Sequence, residues 1–143
     1  MSKRKLEFFV LDMYVTIIKI EIYIKDIENP QDLLYDCKTW DAVMRGLEII
    51  GEASKKLIEN GLLNEDKRRI VDFRNLIAHH YFGINEDIVW DVLINKLPEL
   101  KHELEDIISK LANKKEIIAF FVEDNHSIPV VREILGKLNK DSK

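Results

Sequence analysis

Hydrophobic residues recur every three or four positions along most of the chain, which is the spacing of an amphipathic helix. In the first segment this repeat runs over Phe9, Met13, Ile17, Ile20, Ile24 and Ile27. Several residues between them are also apolar, so this helix is hydrophobic on more than one side. A helix of that kind is buried on several faces, and we expect the extra face to contact a second subunit. Asn29 and Pro30 are predicted to end it.

A second helix is predicted to open near Asp32 or Asp36 and to end at Asn60 and Gly61, because glycine commonly follows a helix C-terminus. Gly46 and Gly51 lie in its middle, although each glycine costs about 1 kcal/mol relative to alanine in an exposed helix. We interpret both as positions where a neighbouring helix packs too closely for a side chain.

Two more helices follow the same pattern. The third is predicted to begin with Asn64 as its N-cap and to end near Gly83. The fourth is predicted to begin after Asn85 and to continue to Leu111. Pro98 falls inside the fourth helix and predicts a kink or a break there, since proline cannot donate the helical hydrogen bond.

The C-terminal part of the sequence is harder to interpret. Residues 117–122 form a short apolar run, which could be a strand or a buried helical turn, and periodicity does not decide between them. Ser127 is expected to cap a last short helix through Leu138. We therefore divide the chain into a helical domain of residues 1–113 and a C-terminal extension of residues 114–143.

Composition narrows the class of protein. The 143 residues are 46% hydrophobic and 34% charged, which favours one folded, soluble domain. Cys37 is the sole cysteine, so no intramolecular disulfide can form and a cytoplasmic protein is expected. Because no uncharged run approaches the roughly 20 residues of a membrane helix, we expect no membrane contact. The net charge of −4 implies that any nucleic-acid site is a local patch.

The candidate chemistry lies in residues 74–81, Arg-Asn-Leu-Ile-Ala-His-His-Tyr. On a helix, Arg74 and Tyr81 lie on nearly the same side, and Asn75 and His79 form a neighbouring strip. Arginine binds phosphate through a planar fork, and histidine transfers protons near neutral pH. These groups suit RNA cleavage through the 2′-hydroxyl. No metal-ligand pattern occurs, so neither a metal nor a cofactor is expected. Alternatively, the arginine and histidine only cap carbonyls or form ion pairs.

The same segment resembles the Arg-x4-His-x-Tyr signature of the HEPN superfamily. More narrowly, it resembles the HepT-like ribonuclease toxins that are paired with a minimal nucleotidyltransferase. Residues 45–53, Arg-Gly-Leu-Glu-Ile-Ile-Gly-Glu-Ala, are similar to the family's second-helix block. Trp90 and the Leu-Pro-Glu-Leu of residues 97–100 follow its later order. The resemblance covers residues 5 to 111, and the C-terminal extension has no counterpart in it.

The resemblance implies an all-α, up-and-down bundle of four to five helices that forms a homodimer, with two signatures facing each other across a cleft. It implies that Arg74 and His79 are catalytic and that Asn75 supports their geometry. Tyr81 would receive AMP from the nucleotidyltransferase antitoxin, and the substrate would be RNA, possibly tRNA. His80 fills a variable position of the signature, and we expect it at the surface.

Three cations early in the third helix, Lys67, Arg68 and Arg69, are candidates for binding the RNA backbone. They could equally form a solvated face with salt bridges. Two other functions stay open at this point. One is a catalytically inactive, nucleotide-binding adaptor subunit for the nucleotidyltransferase, and the other is a helical dimerisation module without chemistry.

Overall fold

The computed structural model describes residues 2–78 and 83–140, and in these ranges every regular element is a helix. Short turns and loops join the helices. In chain order the helical elements are α1 (Lys3–Tyr23), α2 (Pro30–Tyr35), α3 (Cys37–Glu59), a 3₁₀ turn (Glu65–Lys67), α4 (Arg68–Ala78), α5 (Glu86–Asp91), a π-helical turn (Val92–Lys96), α6 (Leu97–Ser109), α7 (Lys114–Asp124) and α8 (Pro129–Lys140). The all-α class that the resemblance implies, and that the dominant helical period favours, is confirmed.

Helix α1 is the central element of the fold. It packs against α3, α6, α7 and α8, and every residue from 13 to 18 is buried. An unbroken buried run on a helix means that neighbours cover all of its sides. The expectation that its extra hydrophobic face needs a second subunit is therefore wrong, because helices of the same chain cover that face.

Polar contacts also join α1 to α6. The Tyr14 hydroxyl donates a hydrogen bond to Oε2 of Glu105 over 2.7 Å. Burial raises the pKa of Tyr14 well above its usual value, and the bond to Glu105 adds to the shift. Lys101 Nζ lies 2.9 Å from Oε1 of Glu21. These contacts fix the position of α1 along α6.

The first loop of the chain starts earlier than the sequence predicts. Helix α1 ends at Tyr23, and Asn29 caps the separate short helix α2 by accepting a hydrogen bond from the Asp32 N–H. Asp36, one of the two predicted starting points, caps α3 through the Thr39 N–H at 3.1 Å. Pro30 has a capping residue on each side, Asn29 before it and Asp36 after it, so the predicted boundary becomes two helix starts.

The predicted fourth helix is confirmed as a nearly continuous element that begins after Asn85. The Asn85 side chain accepts from the N–H groups of Asp87 and Ile88. The disturbance expected at Pro98 takes the form of the π-helical turn, which immediately precedes α6. The proline ring crowds the carbonyl four residues earlier, at Ile94, and that residue lies inside the π turn.

The C-terminal residues form a helical hairpin on α1. Residues 117–122 belong to α7, so the helical alternative for this run is correct. Helix α8 begins at Pro129 rather than directly after Ser127. The ring of Phe8 in α1 lies 5.0 Å from that of Phe120 and 5.6 Å from that of Phe121. Over the described ranges, no helix combines the length and apolarity that crossing a bilayer requires.

Candidate active site

Arg74 lies where α4 crosses α3, directly over Gly51. A Cβ atom added at Gly51 would lie 2.5 Å from Cγ of Arg74, closer still to its Cβ, and 3.3 Å from the carbonyl oxygen of Ile70. Real Cβ atoms do not approach carbon so closely, so no residue with a side chain fits at this crossing. The interpretation of Gly51 as a close-packing position is confirmed, and what it packs against is the candidate arginine.

The guanidinium group of Arg74 is held by two neighbours. Its Nη2 atom lies 3.1 Å from Oε2 of Glu52 on α3, and its Nη1 atom donates to Oδ1 of Asn75 over 3.1 Å. Its Nε atom is buried and has no hydrogen-bond partner among the described residues. Because a guanidinium carries five N–H donors, these two contacts fix its orientation and leave donors for an anion.

A cavity of about 250 Å³ adjoins Arg74 between α1 and α3. Its second arginine, Arg45, is paired with Glu48 at 3.2 Å. Partial burial raises the pKa of Asp12 in the wall; Lys19 opposes this shift and Asp124 adds to it. Each of the two arginines in this cavity, Arg45 and Arg74, therefore forms an ion pair with a glutamate of α3. The lining residues are Phe9, Asp12, Arg45, Glu48, Ile49, Glu52, Ala53 and Arg74.

The structure brings together two of the residues that the sequence singles out, Arg74 and Asn75. His79, His80 and Tyr81 lie outside the described residues, so their predicted roles stay predictions. Glu52 has no role in the sequence analysis, although it holds the guanidinium. Its position directly after the mid-helix glycine could have indicated it, because a residue beside a close crossing contacts the partner helix.

The three cations proposed to bind the RNA backbone have different surroundings. Lys67 Nζ lies 3.1 Å from Oε1 of Glu103, and its side chain is only 16% exposed. Burial alone would lower the pKa of Lys67, but its bonds to Glu103 and Asp66 outweigh burial and leave it raised. Arg68 is paired with Glu65 at 2.9 Å. Arg69 is exposed and makes no ion pair with any residue that the structure describes.

Arg74, Asn75, Glu52 and Gly51 lie within the region that matches a known family. The family model described as "Ribonuclease HepT-like" matches residues 13–107, which include α3, α4 and the crossing at Gly51. The chain belongs to the HepT-like ribonuclease family. A match over most of the chain agrees with the HEPN-type resemblance that the signature segment shows.

Individual relatives support the same family. A Methanocaldococcus jannaschii protein named "Putative RNase MJ0127" is 35% identical over 119 residues, which are 81% of this chain and 98% of the relative. A Thermococcus cleftensis protein named "Probable ribonuclease HepT" is 32% identical over 108 residues, 73% of this chain and 97% of the relative. No solved structure matches the chain. The family match ends before α7 and α8.

Proposed function

We propose that this protein is a metal-independent endoribonuclease in which Arg74 binds the scissile phosphate and His79 transfers a proton. The observation that carries the proposal is the fixed guanidinium of Arg74, held over Gly51 by Glu52 and Asn75. It occurs within the match to a ribonuclease family. An arginine whose orientation is set before the substrate arrives stabilises developing charge on phosphate without reorganisation.

The reaction uses the RNA's own 2′-hydroxyl. This oxygen loses its proton and attacks the adjacent phosphorus, while the bond from phosphorus to the 5′-oxygen breaks and that oxygen gains a proton. The products are a 2′,3′-cyclic phosphate and a 5′-hydroxyl end. One group must remove a proton and another must deliver one. A homodimer with two facing signatures supplies two His79 side chains, and we include the homodimer in the proposal.

The proposal extends to regulation. A minimal nucleotidyltransferase antitoxin adds AMP to Tyr81, which lies two residues after His79 in the sequence. The added nucleotide carries negative charge and bulk next to the proton-transfer group, so it blocks the phosphate site. The support for this regulation is the signature segment and the family to which the chain belongs. We propose tRNA as the first RNA to test.

The deciding experiment measures cleavage of labelled RNA, including tRNA, in EDTA after phosphodiesterase has removed any AMP. Wild-type protein cleaves, and His79→Ala reduces the rate by about 10²- to 10⁴-fold, the usual contribution of proton transfer. His102→Ala is the matched control, because that histidine is on α6 and its side chain is 87% exposed. Its rate is expected to equal that of the wild type.

Two results would contradict this function. The first is a wild-type protein that cleaves no RNA after phosphodiesterase treatment, and the second is a His79→Ala variant with unchanged activity. The nucleotidyltransferase could also bind the inactive protein with an affinity that substitutions at Arg74, His79 and Tyr81 do not alter. In that case the adaptor function is the better explanation.

A further inference from the structure

A second and larger groove, of about 740 Å³, lies between the start of α1 and α7. It combines aromatic rings with positive charge. Half of the Phe120 surface is exposed, whereas large aromatic side chains are usually covered. The walls of the groove include Arg4, Lys5, Phe8, Phe120, Phe121 and Asp124.

The aromatic wall is rigidly supported. Phe8 meets Phe120 edge to face, with ring centroids 5.0 Å apart and planes at 69°. Phe121 lies 5.4 Å from Phe120 at 76° and is itself buried. These contacts hold the Phe120 side chain in one place while leaving part of it open to solvent. A fixed, exposed ring is what a nucleic-acid base stacks on.

Positive charge borders the same groove. Arg4 and Lys5 are exposed, and neither forms an ion pair with any residue in the described ranges. They stand in the first turn of α1, where the helix dipole also favours an anion. The carboxyl groups of Asp12 and Asp124 line the groove as well. Carboxylates accept hydrogen bonds from base amino groups, so the lining suits a nucleotide better than a purely apolar ligand.

The groove adjoins the cavity at Arg74. Phe9 and Asp12 line both spaces, so these two residues separate the arginine from the part of the groove that contains Phe120. We propose that the groove binds the single-stranded segment of substrate RNA next to the cleaved bond, with a base stacked on Phe120 and a phosphate on Arg4 and Lys5. This inference rests on the proposed ribonuclease function.

The groove also indicates a function for the C-terminal hairpin of α7 and α8. Phe120, Phe121 and Asp124 come from α7, which lies beyond the family match of residues 13–107. The hairpin thus adds a subsite to the family's catalytic domain. It extends the bound length of RNA beyond the cavity at Arg74.

The first test measures RNA binding by fluorescence anisotropy, using the full-length His79→Ala protein and a fluorescein-labelled single-stranded RNA. Replacing a stacking ring weakens binding by about five- to hundredfold, so Phe120→Ala should raise Kd about tenfold, while Phe120→Trp keeps the affinity. The matched control is Tyr35→Ala, which removes an aromatic side chain that is 84% exposed on α2. Its Kd is expected to stay unchanged.

A second test isolates the charges. Loss of two phosphate contacts to single-stranded RNA lowers the slope of log K against log salt by about 1.4, and we expect this for the double variant Arg4→Ala with Lys5→Ala. Lys25→Ala with Lys38→Ala removes the same charge from exposed sites outside the groove and leaves the slope unchanged.

A third test is kinetic. In protein with His79 intact, Phe120→Ala raises KM for cleavage and preserves kcat, because the ring acts in binding alone.

The outcomes separate this inference from the proposed function. If wild-type protein cleaves RNA and Phe120→Ala changes neither Kd nor KM, the groove is not an RNA subsite, and the ribonuclease stands. If Phe120→Ala alters the oligomeric state in light scattering, the groove is a contact between copies, and the inference is wrong. If the protein neither binds nor cleaves RNA, the proposed function fails and the subsite fails with it.

Discussion

Gly46 and Gly51 occupy the same helix, five residues apart, and the hydrophobic pattern treats them alike. In the structure they face different partners. A Cβ atom at Gly46 would meet the side chain of Ile20 on α1, at 2.8 Å from Cδ1 and 2.9 Å from Cγ1. At Gly51 it would meet Arg74 on α4 near the root of the side chain. Gly46 allows the central helix α1 to lie close to α3, and Gly51 allows α4, which carries Arg74, to lie close to α3.

The difference lies in what can move. The Cδ1 atom of Ile20 is the far end of a flexible side chain, so a different rotamer relieves part of the contact. The Cβ and Cγ atoms of Arg74 are attached close to the α4 backbone, so relief at Gly51 requires the helix itself to shift. Filling the first crossing therefore affects stability alone, whereas filling the second also affects the geometry of the site.

The largest effect is expected for Gly51→Ala. Displacing α4 moves the guanidinium of Arg74, and a misplacement of about 1 Å can cost about 10²-fold in rate. We predict at least that loss in RNA cleavage, together with a lower urea midpoint. Gly136→Ala on α8 is the matched control, because nothing lies within 4 Å of its added Cβ. It should preserve activity and raise stability by up to about 1 kcal/mol. Unchanged cleavage in Gly51→Ala would remove the distinction between the two glycines.

The pattern of the sequence predicts much of this arrangement. Helical periodicity predicts most of the helices, and Asn64, Asn85 and Gly61 mark helix ends, because capping chemistry is local. Gly61 indeed has a φ of 76°. The same local signals show that something approaches the middle of α3. They do not show what approaches, because the partner of a glycine is set by tertiary packing.

Two features could not be derived from local patterns. The covering of α1 by α7 and α8 depends on a contact between residues that are far apart in the sequence. The extra hydrophobic face of α1 has the same sequence pattern whether this chain or a second subunit covers it. The role of Glu52 depends on the crossing of α3 and α4, which brings its carboxylate within 3.1 Å of Arg74. By contrast, the resemblance of residues 74–81 already indicated Arg74 and Asn75.

A smaller effect is expected for Gly46→Ala. Overpacking a core costs about 1–3 kcal/mol, and the better helix propensity of alanine returns about 1 kcal/mol of this. We predict a net loss of about 1 kcal/mol in the free energy of unfolding, measured by urea denaturation. RNA cleavage at a temperature where the variant is folded should match the wild type. A loss of cleavage as large as that of Gly51→Ala would show that both crossings control the site.

The smallest effect is expected for Glu52→Gln. This variant tests whether Glu52 influences Arg74 through the position of its side chain or through its charge. Glutamine places an amide oxygen where Oε2 of Glu52 lies, 3.1 Å from Nη2 of Arg74, so the guanidinium keeps its orientation and kcat for RNA cleavage stays unchanged. Removing a carboxylate near the bound phosphate lowers KM. The gain is about fivefold or less, because the side chains of Glu52 and Arg74 are partly exposed and solvent screens them.

Two variants complete this experiment. Glu52→Ala removes the side-chain oxygen as well as the charge, so it should lower kcat, which Glu52→Gln does not. Glu48→Gln is the matched control, because Glu48 lines the same cavity but is paired with Arg45. A drop in kcat that is equal for Glu52→Gln and Glu52→Ala would mean that the charge of Glu52 holds Arg74 in place. The glycine at the crossing would then set how closely the helices approach, and the ion pair would set where the guanidinium points.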